Sequence, residues 1–316
     1  MRYRANRLED EDLDLGFGSV VADESRRRLL NRDGSFNVVR RGLGWRGALS
    51  LYHSLLTLSW PSFLLLLLAG YMAANVVFAV LFTLCGPEAL TGMPATTGRE
   101  QLLRAFFFSV HTLSTIGYGQ IVPATLGANL LMTVESMAGL FGLALVTGLV
   151  FARFSRPTAD IVFSRRAVVA PYRGLTAFQF RIANRRRNQL VELEAKVHFT
   201  RLEGEPGRRK RRFYDLDLER RKVTFFPLSW TLVHPIDEDS PLQGLGPEEL
   251  AASEAEFLVM LTGIDETFSQ TVHARSSYKS GEIVWQARFD KIYQRVGRRG
   301  PMAIDLRRIH SLRPAE

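Results

Sequence analysis

Residues 60–84 contain no charged side chain, and residues 126–152 contain one, Glu135. Unpaired backbone N–H and C=O groups are not tolerated in hydrocarbon, so stretches this long and apolar cross a bilayer as helices. Two such spans, an outer one over 59–84 and an inner one over 126–155, frame whatever the chain builds between them. Pro61 falls in the first turn of the outer span, where a missing N–H does little harm. Glu135 is costly to bury in lipid and has to turn towards protein or water.

Between the spans stands Ser114-Thr115-Ile116-Gly117-Tyr118-Gly119. A cation crossing a membrane must exchange its water shell for protein oxygens, and a row of backbone carbonyls with one threonine hydroxyl supplies them. Pointing every carbonyl inward requires alternating backbone handedness, and glycine adopts φ > 0 without steric penalty. Gly117 and Gly119 occupy alternate positions. With Ile116 in place of valine, the order is that of the TVGYG potassium filter. A Gly-Tyr-Gly turn also arises by chance in loops. The flanking spans and a short helix-like stretch, 99–113, favour the filter. On this reading Thr115, Ile116, Gly117 and Tyr118 offer oxygens to potassium, and Gly119 closes the row. One filter segment per chain is an incomplete ring, so four chains are needed. The stretch 99–113 is too short for a third span, and its C-terminal end directs partial negative charge towards the cation path.

The charge pattern orients the chain. Ten arginines and eight acids precede the outer span; Arg153, Arg156, Arg165 and Arg166 follow the inner one; the only arginines in 85–125 are Arg99 and Arg104. Both termini are expected in the cytoplasm, with 85–125 outside a bacterial inner membrane. The same rule accounts for the net charge of +9 without nucleic acid. The first apolar run starts too late for a cleavable signal peptide. A single cysteine, Cys85, excludes an internal disulfide. No metal cluster, phosphate loop or nucleophile triad suggests an enzyme, and no organic cofactor is expected.

Residues 1–44 read as a largely extended, polar cytoplasmic arm with a turn at Asp33-Gly34. In 45–58, Trp45, Leu49, Tyr52, Leu55 and Leu56 lie near one helical face, which suits a helix lying on the membrane surface; the alternative is the first turns of the outer span. Residues 156–316 change to period two. Val191, Leu193, Ala195, Val197 and Phe199 alternate with polar residues, as do Phe178, Phe180 and Ile182. That is a β-sandwich pattern. Residues 204–212, GEPGRRKRR, read as an exposed hairpin.

The chain resembles prokaryotic inward-rectifier potassium channels over nearly its whole length. The residues that carry the resemblance are spread out: Arg32–Val38 in the arm, Leu58-Ser59-Trp60-Pro61, Gly148–Phe154 with Arg156-Pro157, His234–Leu242, Ala274–Tyr278 and Glu282–Trp285. The resemblance implies a homotetramer around a fourfold pore and an immunoglobulin-like cytoplasmic sandwich. It also implies the gate. Leu143 and Phe151 are eight residues apart, so they share a helix face and suit apolar rings that close a pore by dewetting; by resemblance Phe151 is the constriction. Gly139 and Gly142 read equally as a hinge or as sites of close helix packing. Arg153, Arg156 and, more weakly, Arg46 lie where lipid phosphates are. Anchoring explains them, and the resemblance adds anionic, phosphoinositide-type headgroups.

Departures from the family matter too. Strong rectifiers carry an inner-helix acid where this chain has Leu143. In the cytoplasmic pore Glu192 is kept, while other acidic positions read Thr262 and Arg220-Arg221-Lys222. Weak rectification is expected, with Glu135 as a partial, cavity-facing substitute. His111 stands where relatives have Glu or Gln, and Gln120 where Asp is common. His111 is either a pH-sensitive support for the filter or a packing residue. Glu266 and Arg275 match a structural ion pair. The competing readings are a poorly conducting lipid or ligand sensor and a less selective cation channel.

Overall fold

The computed structural model describes residues 15–18, 20, 28–38, 51–155, 159–186, 188–205, 209–226, 228–295, 300 and 302–315. Arg46 and Arg156 lie outside the described residues, as do 45–50 of the expected surface helix. The chain forms two compact units, 41–156 and 1–40 with 157–316.

The first unit is helical. A short helix, α1 (Leu51–Thr57), precedes α2 (Trp60–Leu84). Ser59 caps α2, its hydroxyl accepting from the Ser62 N–H, and Pro61 follows in the first turn where no donor is missed. Next comes α3 (Gly98–Leu113), opened by a capping box in which Thr97 and Glu100 satisfy each other's backbone N–H. The long α4 (Leu126–Phe154) is capped by Thr125. Both α2 and α4 are long and apolar enough to cross a membrane. The ends of the loop between them are tied by a two-residue ladder, β1 (Leu90–Thr91) against β2 (Val122–Pro123). Ala79, Ala105 and Ala128 let the three long helices approach, and Phe82 meets Phe108 edge to face at 5.0 Å.

The second unit is a sandwich of two five-stranded sheets. The strands are β3 (Ile161–Phe163), β4 (Ala167–Tyr172), β5 (Leu175–Asn184), β6 (Leu190–Glu203), β7 (Lys210–Asp215), β8 (Lys222–Phe226), β9 (Ser229–Ile236), β10 (Glu256–Asp265), β11 (Gln270–Lys279) and β12 (Ile283–Trp285). One sheet runs β11-β10-β6-β7 with β8 also on β6; the other runs β12-β4-β5-β3 with β9 also on β5. Phe178, Phe180, Ile182, Phe199 and Phe257 fill the core between them, Phe178 stacking on Phe257 at 4.2 Å.

The alternation in β6 is interrupted. Thr262 faces Glu194 while Ile264 faces Val191, so β6 carries one extra residue. Glu192 takes φ 53° there. The bulge resets the phase: Leu190 and Leu193 are both buried, and Val191, expected on the core face, is only half-buried.

Other expectations are corrected in this unit. Within the arm, residues 28–38 pack on the sandwich, a docking not expected from sequence, and turn at Asp33-Gly34 as read. The buried Glu256 carboxylate accepts the Leu29 N–H at 2.9 Å and the Leu30 N–H at 3.3 Å, and Arg32 pairs with Glu282 at 3.0 Å. Arg211, from the stretch read as a solvated hairpin, is buried 3.7 Å from Glu254. Glu266 and Arg275 do not pair within the chain. Arg275 lies opposite Met260, far along the ladder, with its guanidinium 4.7 Å over the Phe36 ring.

Candidate ion pathway

The row 114–119 hangs from the C-terminal end of α3. Helix ends leave carbonyls without partners. Here the Thr112 carbonyl accepts the Thr115 N–H at 3.0 Å, and the His111 carbonyl accepts those of Ile116 at 2.8 Å and Gly117 at 3.3 Å. In a trans peptide the carbonyl points opposite to the N–H. The carbonyls of Thr115 and Ile116 are thereby turned away from α3. The backbone alternates as it goes: Thr115, Gly117 and Gly119 have φ 56°, 60° and 77°. A β-branched residue rarely adopts positive φ, so Thr115 extends the glycine pattern by one step that composition does not reveal.

Side chains brace this row from behind. The Tyr118 ring meets the His111 ring edge-on at 5.1 Å. Tyr71 Oη of α2 lies 2.7 Å from Ser114 Oγ. Tyr71 is absent from the residues picked out by sequence. The available signal was weak: Tyr71 and Asn75, one turn apart, are the polar positions in the middle of the span, where Ser62 and Thr83 are the others near its ends.

Glu135 is not a cavity-facing acid. It is wholly buried in the protomer and hydrogen-bonded to Ser109 of α3, near Asn75 of α2. The cost of a carboxyl in the membrane is met by turning it towards the neighbouring helices, not towards water. One turn further along α4, Gly139 is buried so closely that a Cβ would sit 2.5 Å from the Leu113 carbonyl oxygen. Gly142 has nothing within 4 Å of such a Cβ. Leu143 and Phe151 are both exposed on the single chain.

Arg153 is held by contacts within the chain. Its guanidinium donates to the carbonyls of Leu55 and Leu58, the latter at 2.6 Å, beyond the C-terminal turn of α1. It also lies 4.8 Å over Trp60 and 4.4 Å over Phe63. Trp60 in turn packs on Phe154 at 4.9 Å. One cation thus ties α1, the start of α2 and the end of α4.

In the sandwich Glu192 is ion-paired with Lys222, which offsets its charge. Thr262 Oγ1 is 3.1 Å from His273 Nδ1.

Comparison with known proteins accounts for both units. Residues 161–315 match the model of the inward rectifier potassium channel C-terminal domain, and residues 66–156 match an ion channel model. The chain is 41% identical over 299 residues to the inward rectifier potassium channel Kirbac3.1 of Paramagnetospirillum magnetotacticum, covering 93% of this chain and 99% of that one. It is 31% identical to ATP-sensitive inward rectifier potassium channel 14 of Rattus norvegicus, covering 93% and 71%. It is 28% identical to inward rectifier potassium channel 4 of Homo sapiens, covering 88% and 71%. Its pore helices and sandwich follow that architecture, and its activity is that of a membrane channel and not of an enzyme. The chain belongs to the inward-rectifier potassium channel family, in its prokaryotic branch.

Proposed function

We propose that four copies of this chain surround one pore in which Thr115, Ile116, Gly117 and Tyr118 replace the water shell of potassium. The observation that carries this is the alternation of left-handed backbone at Thr115, Gly117 and Gly119, with the amides of Ile116 and Gly117 tied back to His111. His111 supports the row twice, through its carbonyl and through its ring against Tyr118.

The gate is assigned to α4. Phe151, with Leu143 two turns above, closes the path by dewetting, and Gly139 holds the upper part of the helix against α3. Arg153, with Arg156 and Arg46, senses anionic headgroups at the cytoplasmic face. The contacts of Arg153 with Leu55 and Leu58 give a route from α1 to the end of α4. Both termini lie on that face. Rectification is weak, because Leu143 is apolar and Glu192 is offset by Lys222.

The test is rubidium uptake into proteoliposomes loaded with potassium, repeated with sodium loading and with external barium. Potassium-dependent, barium-blocked uptake is expected. Equal uptake in both salts would favour a less selective cation channel. No uptake in any lipid would favour a sensor.

A further inference from the structure

Three polar side chains meet inside the membrane unit with none of their surface exposed: Asn75 of α2, Ser109 of α3 and Glu135 of α4. Ser109 Oγ lies 3.1 Å from Asn75 Oδ1 and is also hydrogen-bonded to Glu135 Oε1. Protons can be counted here. Asn75 Nδ2 donates to the Tyr71 carbonyl at 2.8 Å, which fixes the amide. Turned over, it would set its oxygen against another acceptor. Asn75 therefore offers Ser109 an acceptor. A serine hydroxyl has one proton. Given to Asn75, it leaves Ser109 only lone pairs for Glu135, so that contact closes only if the carboxyl brings its own proton.

The ionised alternative is worse on two counts. Glu135 would take the serine proton, leaving Asn75 Oδ1 against an oxygen with no hydrogen to share. Its second oxygen, Oε2, is buried without a hydrogen-bond partner. A buried carboxylate so poorly satisfied is far more costly than a buried acid carbonyl.

We propose that Glu135 stands as a neutral carboxylic acid donating to Ser109, and that the chain Glu135 to Ser109 to Asn75 positions the filter. The inference rests on the filter assignment above. Ser109 lies two residues before His111, whose carbonyl holds the amides of Ile116 and Gly117. The last turns of α3 are fastened to α2 by Asn75–Ser109 and Tyr71–Ser114. They are fastened to α4 by Glu135–Ser109 and by the contact of Gly139 with Leu113. The two polar links on α2 come from residues one turn apart, as do the two links on α4. Glu135 is thus a positioning residue, acting on the ion path through α3.

The experiment uses the full channel in proteoliposomes with Glu135→Gln, Glu135→Ala and Ser109→Ala. The glutamine keeps a donor at the same place, so Glu135→Gln should hold potassium-over-sodium discrimination within about twofold of the native channel, whereas the two alanine variants lose about tenfold, the scale of one buried hydrogen bond. The native-minus-Glu135→Gln infrared difference should show a protonated carboxyl C=O stretch. If Glu135→Ala does not assemble, Ser109→Ala carries the same comparison. Equal damage from Glu135→Gln and Glu135→Ala, or a carboxylate band in place of the carboxyl one, would overturn the proton assignment. Unchanged discrimination in the alanine variants of a selective native channel would overturn the positioning role alone. A native channel without potassium-selective uptake would remove the filter reading and this one together.

Discussion

Gly139→Ala separates the two roles that a mid-helix glycine in α4 can have. If Gly139 is a hinge, alanine acts by stiffening the helix. If it is a contact, alanine acts by collision. A Cβ at Gly139 would lie 2.5 Å from the Leu113 carbonyl oxygen and 3.3 Å from the Leu113 carbonyl carbon and Cα. Those are backbone atoms and cannot swing aside like a side-chain tip. The helices must part by about 0.9 Å to reach the 3.4 Å of ordinary contact. Overpacking of this kind costs roughly 1–3 kcal/mol. Replacing a helical glycine by alanine returns about 1 kcal/mol. The expected net loss is therefore roughly 0–2 kcal/mol per chain, and the displaced atoms are those from which the filter hangs. Gly142→Ala is the control, since a Cβ there meets nothing within 4 Å and gains the helix term alone. Thermal unfolding of the purified channel and cation-selective rubidium uptake read both effects. Gly139→Ala should melt lower and discriminate potassium from sodium less well, while Gly142→Ala melts no lower and keeps its selectivity. A Gly139→Ala channel that is more stable, equally selective and slower to open would refute the contact argument and leave the hinge.

Four further outcomes follow from the same geometry. Phe151→Ala should raise resting rubidium uptake in intact tetramers; unchanged uptake would remove Phe151 from the gate. Arg153→Gln loses the guanidinium donors to Leu55 and Leu58, bonds of a charged group worth roughly 1.5–3 kcal/mol. It should alter the response of uptake to anionic lipid without changing membrane insertion, and an identical lipid response in both channels would sink that role. Internal spermine should block outward current only shallowly, and Lys222→Met, which frees Glu192 from its partner, should deepen the block; steep block of the native channel would contradict this. Burial holds the His234 imidazole below its ordinary value of 6.5, against the opposing pull of the Asp217 carbonyl and nearby acids. The unfolded chain then binds the proton more readily, so the stability this histidine contributes is complete above about pH 6.5 and is lost as pH falls towards the folded value. The protection of β9 amides, their exchange corrected for its intrinsic pH dependence, should fall over that window in the intact channel, and protection that stays level would show that His234 is not the group responsible.

The parts of the fold that were legible in sequence are those in which one physical demand dominates. An uncharged run of helix length in α2 has only one way to satisfy its backbone in lipid. Phe178, Phe180 and Ile182 alternate because one face of β5 meets the core, and all three are buried. In β6 the alternation read for Leu193, Ala195, Val197 and Phe199 holds, all four being buried; only Val191 was misplaced, because the left-handed residue Glu192 puts the strand before it out of phase. The docking of the arm was not legible, since the partner of the Leu29 and Leu30 amides is Glu256, more than 220 residues away.

Glu135 and Arg153 show where reading by residue type stops. Sequence states that an intramembrane acid has to leave the lipid, but not in which direction it leaves. A cavity and a neighbouring helix both satisfy that demand, and the second is met here because Ser109 and Asn75 arrive from two other helices at the same depth. Sequence likewise states that an arginine after the last apolar turn belongs near phosphates. It does not state that the chain leaves bare carbonyls at Leu55 and Leu58 within reach. In both cases the missing term is a partner distant in the chain, which residue type alone does not name. The consequence is functional. An acid facing the cavity would draw cations and blockers to itself, whereas an acid closed against Ser109 acts on the ions only through the helix that carries the filter.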